Sequence, residues 1–178
     1  MHGLIFTAFR AFISLEHPEV VEQLWAGTPR YLATRAYADE DFDRLLTQAA
    51  EETGIARDTT LRRFGVYTGM SAFRLLYPDY YASSADTRAF LLGIEERIHE
   101  VVRRTIPDAA PPRLDIMPLG QTGVSITYTS PRQLCALIEG LVTGVARHYG
   151  ETIEIEQPLC MLRGDTAGCT FFITRAAS

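Results

Sequence analysis

Residues 107–150 read PDAAPPRLDIMPLGQTGVSITYTSPRQLCALIEGLVTGVARHYG, and the periodicity changes character twice within them. Residues 113–117 and 124–128 alternate apolar and polar side chains, the two-residue period of half-buried strands, with Gly120 and Gly123 supplying a hairpin turn between them. From 131 to 149 the pattern becomes helical. Ser130 is placed as N-cap, Pro131 at the first helical position and Gly150 just past the end. The proline-rich turn 108–112 separates this region from everything before it.

Upstream of that turn the chain reads as helices. Residues 3–17 carry Leu4, Ile5, Phe6, Phe9, Phe12, Ile13 and Leu15, a helix apolar on more than one side. Pro18 suits the first turn of a helix over 19–26. Residues 39–53 form the clearest amphipathic helix, with Phe42, Leu45, Leu46 and Ala49 on one face and Gly54 ending it. Asp58 caps a further helix to about Phe64, and a short helical stretch follows to Tyr77, where Pro78 stops it. Residues 85–106 read as one long helix ended by Pro107. Downstream, strands over 152–157 and 169–175 flank the connection RGDTAG. Helices first, strands last and one helix inserted among the strands predict an α+β fold: a helical N-terminal part followed by a small antiparallel sheet.

At 178 residues the chain is expected to form one domain over 1–178, without repeats or linkers. A net charge of −5 and scattered basic residues disfavour a nucleic-acid or anionic-membrane surface. No apolar run approaches the roughly 18 residues of a membrane span, and the start MHGLIFTAFR lacks a charged leader and cleavage site. Three cysteines, an odd number, argue against a secreted disulfide framework, so a cytoplasmic location is expected.

Two places carry candidate chemistry. In the helix 85–106, Leu91, Ile94, Ile98, Val101, Val102 and Thr105 form one stripe, and His99 sits on its shoulder in line with Leu92 and Ile106. Such a histidine is either a satisfied boundary residue or an axial ligand for haem iron, the usual protein ligand being neutral imidazole. At the strand-to-helix junction, Tyr128 follows Val124 and Ile126 on one strand face, with Ser130 in register and Arg132 just beyond. Phenol, hydroxyl and guanidinium together suit carboxylates, because arginine offers a fork and the hydroxyls satisfy remaining lone pairs. The same residues read equally as a strand tyrosine, a cap and a surface arginine. Cys160 and Cys169 flank a turn and could share a metal, but without a nearby histidine they read as small buried residues, and Cys135 as a packed helical one. Acidic pairs such as Glu95–Glu96 read as solvated helix faces. No phosphate loop, nucleophile elbow or other enzymatic constellation is present.

Together, MHGLIF at the start, IEERIHEVV around His99, APPRL after it, YTSPRQLC with the helix LIEGLVTGVARHYG, and the ending CMLRGDTAGCTFFIT resemble the bacterial H-NOX (haem-nitric oxide/oxygen binding) family over almost the whole chain. The carrying feature is the family's Tyr-x-Ser-x-Arg motif placed downstream of a helical histidine. The resemblance implies a ferrous haem b between a helical distal part and a proximal part containing the sheet. It makes His99 the proximal ligand of the haem iron, Tyr128, Ser130 and Arg132 the propionate-binding group, and Pro112 the proline that presses on the macrocycle. Ile5 and Phe9 match pocket-lining positions, and Phe73 a wall residue.

The departures refine what is implied. Oxygen-binding members carry a tyrosine where this chain has Leu137, and their supporting asparagine is replaced by Thr68 or Gly69. An apolar pocket gives no stabilisation to the negative charge on bound oxygen, whereas nitric oxide and carbon monoxide need less polar help. The resemblance therefore implies a nitric oxide sensor, also binding carbon monoxide, that excludes oxygen. Some members hold zinc with three cysteines and a histidine. Cys160 and Cys169 match two of these ligands, but the histidine position is Gln157 and the remaining cysteine position Leu137, so zinc is not expected. Signalling is implied to run through release of His99 and a shift of its helix, read by a separate histidine kinase, diguanylate cyclase or similar enzyme. A non-haem small-molecule-binding or protein-interaction adaptor of the same fold is the rival reading.

Overall fold

α1 (Gly3–Glu16) turns its Phe6, Phe9, Phe12 and Ile13 inward, and all four are buried. They meet α3 (Asp39–Thr53), whose buried residues are Phe42, Leu45, Leu46 and Ala49, the face that its heptad-like spacing marks out. Rings of Phe9, Phe42 and Phe64 pack edge to face, with centroids 5.1 and 5.3 Å from that of Phe9. A short α2 (Val21–Trp25) precedes α3, led in by a 3-10 turn at Pro18–Val20, and left-handed Gly54 ends α3 at φ 67°. The computed structural model describes residues 1–165 and 167–176; Thr166 in the expected RGDTAG connection and the last two residues of the expected domain lie outside it.

α4 (Arg57–Tyr67) runs further than expected. It starts at Arg57, with Asp58 in its first turn instead of at the cap, and passes into a π-helical turn, Thr68–Ala72, and α5 (Phe73–Leu76). Its surface is cut for another helix. A Cβ on Gly65 would stand 2.6 Å from the Leu137 carbonyl, and one on Gly69 2.5 Å from that of Leu141. Gly140 and Gly144 return the contact, facing the carbonyls of Arg62 and Val66. Two glycine pairs spaced four apart thus let α4 and the later helix α9 (Cys135–His148) touch backbone to backbone.

Pro78 does not only stop a helix. It occupies the first turn of α6 (Pro78–Ser83), an element the sequence reading lacked, where its missing N–H costs nothing. The expected single helix over 85–106 is also divided: α7 (Thr87–Leu92), a π-helical turn Glu95–His99, and α8 (Glu100–Thr105). The reason lies in α6. The Tyr80 hydroxyl donates to the Phe90 carbonyl, which also takes the Gly93 N–H at 3.2 Å, so the regular ladder is broken there. Any side chain at residue 93 would meet the Tyr80 hydroxyl, at 2.7 Å from a Cβ. The wide turn that follows shifts the helical phase, which is why Val101, expected in the apolar stripe, is 46% exposed.

The remaining strands form one antiparallel sheet in the order β1-β2-β4-β3, from β1 (Arg113–Leu119), β2 (Gly123–Thr129), β3 (Ile153–Leu159) and β4 (Cys169–Arg175). Pro118 lies on an edge strand, where a missing donor is tolerated. Val124, Ile126 and Tyr128 share the buried face of β2, and Tyr128 stands opposite both Leu114 and Cys169. Helices first, then a small antiparallel sheet with α9 inserted between β2 and β3, is the architecture expected. Among the described residues no helix is long and apolar enough to cross a membrane.

Candidate functional site

Between α1, the segment from α5 to α8 and the α9–sheet layer lies a cavity enclosing about 1210 Å³ of free space, its mouth included. Its wall is mostly carbon, and the candidate chemistry sits at two of its polar places.

The first is His99, at the end of the π-helical turn. Its side chain is 14% exposed, and Nδ1 lies 2.8 Å from Oε1 of Glu95. Glu95 is half-buried and engaged on both oxygens, not the freely solvated residue that its sequence context suggests. Oε1 also accepts the Leu114 N–H at 3.0 Å and the other oxygen accepts from Arg103 at 3.0 Å. Burial pulls the Glu95 pKa upward, but the hydrogen bonds from His99, Arg103 and Leu114 outweigh it and hold the carboxyl below its ordinary value. Burial lowers the His99 pKa more than Glu95 raises it, so the imidazole is neutral. A neutral ring facing a carboxylate must donate from Nδ1, which leaves the Nε2 lone pair free for a metal.

The second is the junction after β2. Tyr128, Ser130 and Arg132 line the same cavity as His99. The helix does not begin at Pro131 as expected. Gln133 adopts φ 53°, and α9 starts at Cys135. Within this turn Ser130 Oγ accepts the Arg132 N–H at 3.3 Å and the Tyr128 hydroxyl accepts the Leu134 N–H at 3.1 Å. Ser130 is thus a turn residue and not the cap of α9. Each hydroxyl is held by accepting from the backbone, so each keeps its own hydrogen to donate. Arg132 donates from Nε to Asp39 Oδ1 and from Nη1 to the Ala110 carbonyl, both at 2.8 Å. Against the upward pull of burial, bonds from Arg132 and the Met1 nitrogen keep the Asp39 carboxyl below its ordinary value. Three oriented donors at one end of an apolar slot fit carboxylate groups on a flat apolar ligand, and a free imidazole nitrogen fits its metal. Donor set and cavity therefore suit an iron porphyrin.

Pro112, Ile5, Phe73 and Leu137 also line the cavity, Leu137 at 7% exposure. Phe9 is placed elsewhere, fully buried in the aromatic cluster of α1, α3 and α4 and not among the described residues lining the cavity. Thr68 and Gly69 face α9 and its neighbours: Thr68 is buried, and the Gly69 carbonyl accepts from Tyr81 at 2.6 Å. Tyr77 and Leu141, absent from the sequence-derived set, join the wall. Tyr77 lies between α5 and α6, where sequence pattern shows a helix end and not a cavity.

The cysteines form a separate group. Cys135, read from sequence as a packed residue, meets the other two: its Sγ is 3.9 Å from that of Cys160, which is 3.7 Å from that of Cys169. The three sulfurs lie within 4.8 Å of one another and are buried, and among the described residues the group contains cysteines alone. Burial pushes the Cys135 thiol up to about 12.

The Haem-NO-binding family model matches residues 2–157. An H-NOX protein from S. oneidensis in the Fe(II)NO ligation state is similar in structure, at 22% identity, covering 99% of this chain and 100% of its own, with a TM-score of 0.91. Unliganded Fe(II) H-NOX from K. algicida shares 23% identity over 100% of this chain and 98% of its own, with a TM-score of 0.86. An I5F mutant of T. tengcongensis H-NOX shares 20%, covering 99% and 98%, with a TM-score of 0.82. No curated protein matches by sequence.

Proposed function

Because the chain belongs to the Haem-NO-binding family, whose members are haem-based gas sensors, we propose that residues 1–178 form a ferrous haem b sensor of nitric oxide and carbon monoxide that discriminates against oxygen. The observation that carries this reading is the meeting of His99, Tyr128, Ser130 and Arg132 on one apolar cavity. When bound, the cofactor supplies an iron that takes a diatomic gas. His99 ligates through Nε2 while Glu95 holds Nδ1. Tyr128, Ser130 and Arg132 hold the propionates, and Pro112 bears on the ring. Leu137, Ile5 and Phe73 present only carbon, so oxygen, which needs a donor for the charge it acquires, gains no support from them; nitric oxide and carbon monoxide need none.

His99 is the moving part. It closes a π-helical turn, so loss of its bond to the iron would free Glu95–Thr105 to shift against the sheet. A separate signalling protein of the histidine kinase or diguanylate cyclase type reads that shift, the chain itself acting as sensor and not as catalyst. Absorption spectra of the purified ferrous protein during titration with nitric oxide, carbon monoxide and oxygen test the reading. A Soret band that responds to the first two gases alone is expected. Its absence, or a stable oxygen complex of submicromolar affinity, overturns it.

A further inference from the structure

One polar residue of the cavity wall, His2, has no task in the proposed function. His2 stands directly ahead of α1 as its N-cap, and its Nδ1 accepts the Leu4 N–H at 3.2 Å. Burial, with the nearby Met1 ammonium, keeps the ring below the ordinary histidine pKa, so it is neutral. A neutral imidazole that accepts at Nδ1 carries its hydrogen on Nε2. That N–H is fully buried, finds no partner among the described residues, and belongs to a residue lining the cavity. Buried donors are ordinarily paired, so an orphan on a ligand cavity marks where a ligand acceptor belongs.

The neighbouring contacts say which end of the ligand this is. The Met1 nitrogen donates at 2.6 Å to Asp39 Oδ1, the same oxygen that accepts from Arg132 Nε. His2 itself pairs with Ala36 in an isolated antiparallel bridge, which fixes its backbone beside that group. It is therefore held at the Arg132 end of the cavity. We propose that His2 donates from Nε2 to a haem propionate, a fourth carboxylate donor beside Tyr128, Ser130 and Arg132 and coming from the opposite, helical side of the cavity. This rests on the haem reading and adds to it a clasp between α1 and the sheet-borne motif, made through the cofactor's carboxylates.

His2→Asn separates the two tasks of the residue. The asparagine carbonyl can still cap the Leu4 N–H, but its shorter side chain has no donor at the Nε2 position. Release of haem to excess apomyoglobin is measured for wild type and variant, once with haem and once with its dimethyl ester. The variant should release haem about tenfold faster, since bonds to charged acceptors are the stronger ones. The difference should be much smaller with the ester, whose neutral carbonyl oxygens accept more weakly than a carboxylate, and the urea midpoints of the apoproteins should agree. In the holo protein, the His2 Nε2 proton should give an imidazole resonance protected from exchange. Equal haem release rates, or an equal loss with the ester, overturn the proposal while leaving the haem reading intact. A wild-type protein that takes up no haem sinks both.

Discussion

His99 Nδ1 lies 2.8 Å from Glu95 Oε1, and that oxygen also accepts the Leu114 N–H at the start of the sheet. One carboxylate thus fixes the tautomer of the proposed axial ligand and ties its helix to β1. Partners of this kind orient a ligating histidine and raise its basicity, and losing them costs about 10–100-fold in metal affinity. Glu95→Gln should accordingly speed haem loss by about tenfold or more and lower the iron–histidine stretching frequency in resonance Raman spectra of the ferrous protein. An unchanged frequency means that Glu95 does not act on the ligand.

The same burial makes the apoprotein acid-sensitive. His2, His99 and His148 are all held below their ordinary value of 6.5, with burial the leading cause in each. As pH drops below 6.5 the unfolded chain takes up protons that the folded chain refuses, so stability is full above that value and falls towards the lower folded values. Asp39 and Glu95, also lowered, add a further loss at more acid pH, below their unfolded values of 3.8 and 4.5. The urea midpoint of the apoprotein should fall from about pH 7 to about pH 5, and less steeply in His99→Gln. A flat wild-type profile contradicts this account.

Gly140 faces the Arg62 carbonyl so closely that a Cβ has no room. Gly140→Ala should destabilise the protein by about 1–3 kcal/mol, the usual cost of overpacking. The displaced α9 carries Leu137 and Leu141, both in the cavity wall, so the carbon monoxide spectrum should shift as well. Calorimetry and the infrared carbonyl stretch check the two effects.

The proposed discrimination against oxygen is tested by supplying a donor. Leu137→Tyr places a phenol in the cavity, and a hydrogen bond to charged oxygen should slow oxygen release by about tenfold or more. Tyr77 already lines the wall, its ring 6.0 Å from that of Phe73 and edge-on to it. Tyr77→Phe should leave the response to all three gases unchanged. A change in oxygen behaviour there would make Tyr77, and not Leu137, the discriminating residue.

How far the sequence could be read follows from where each signal resides. The face of α3 and the alternation of β2 are local periodicities, and both appear in the structure as written. Tyr128, Ser130 and Arg132 line one cavity because they fall in one short stretch, but their spacing alone fits a strand tyrosine, a cap and a surface arginine as well, and the family resemblance is what singles them out. The break in the helix carrying His99 was not legible, because it depends on the hydroxyl of Tyr80, which reaches the Phe90 carbonyl from another element. Glu95 looked solvated because a carboxylate four residues before a histidine is commonplace on exposed helices; only burial and the Leu114 N–H distinguish it. Cys135 joined the other two cysteines through the packing of α9 on the sheet, a relation no local spacing records.

The claim on which the rest depends is that His99 is the bond between cofactor and helix. His99→Gly leaves Tyr128, Ser130 and Arg132 in place, so haem should still enter but without a protein ligand. The most direct measurement is the absorption spectrum of the ferrous variant with and without imidazole. The five-coordinate spectrum of the wild type should return only when imidazole is added. A variant whose spectrum matches wild type in the absence of imidazole contradicts the assignment.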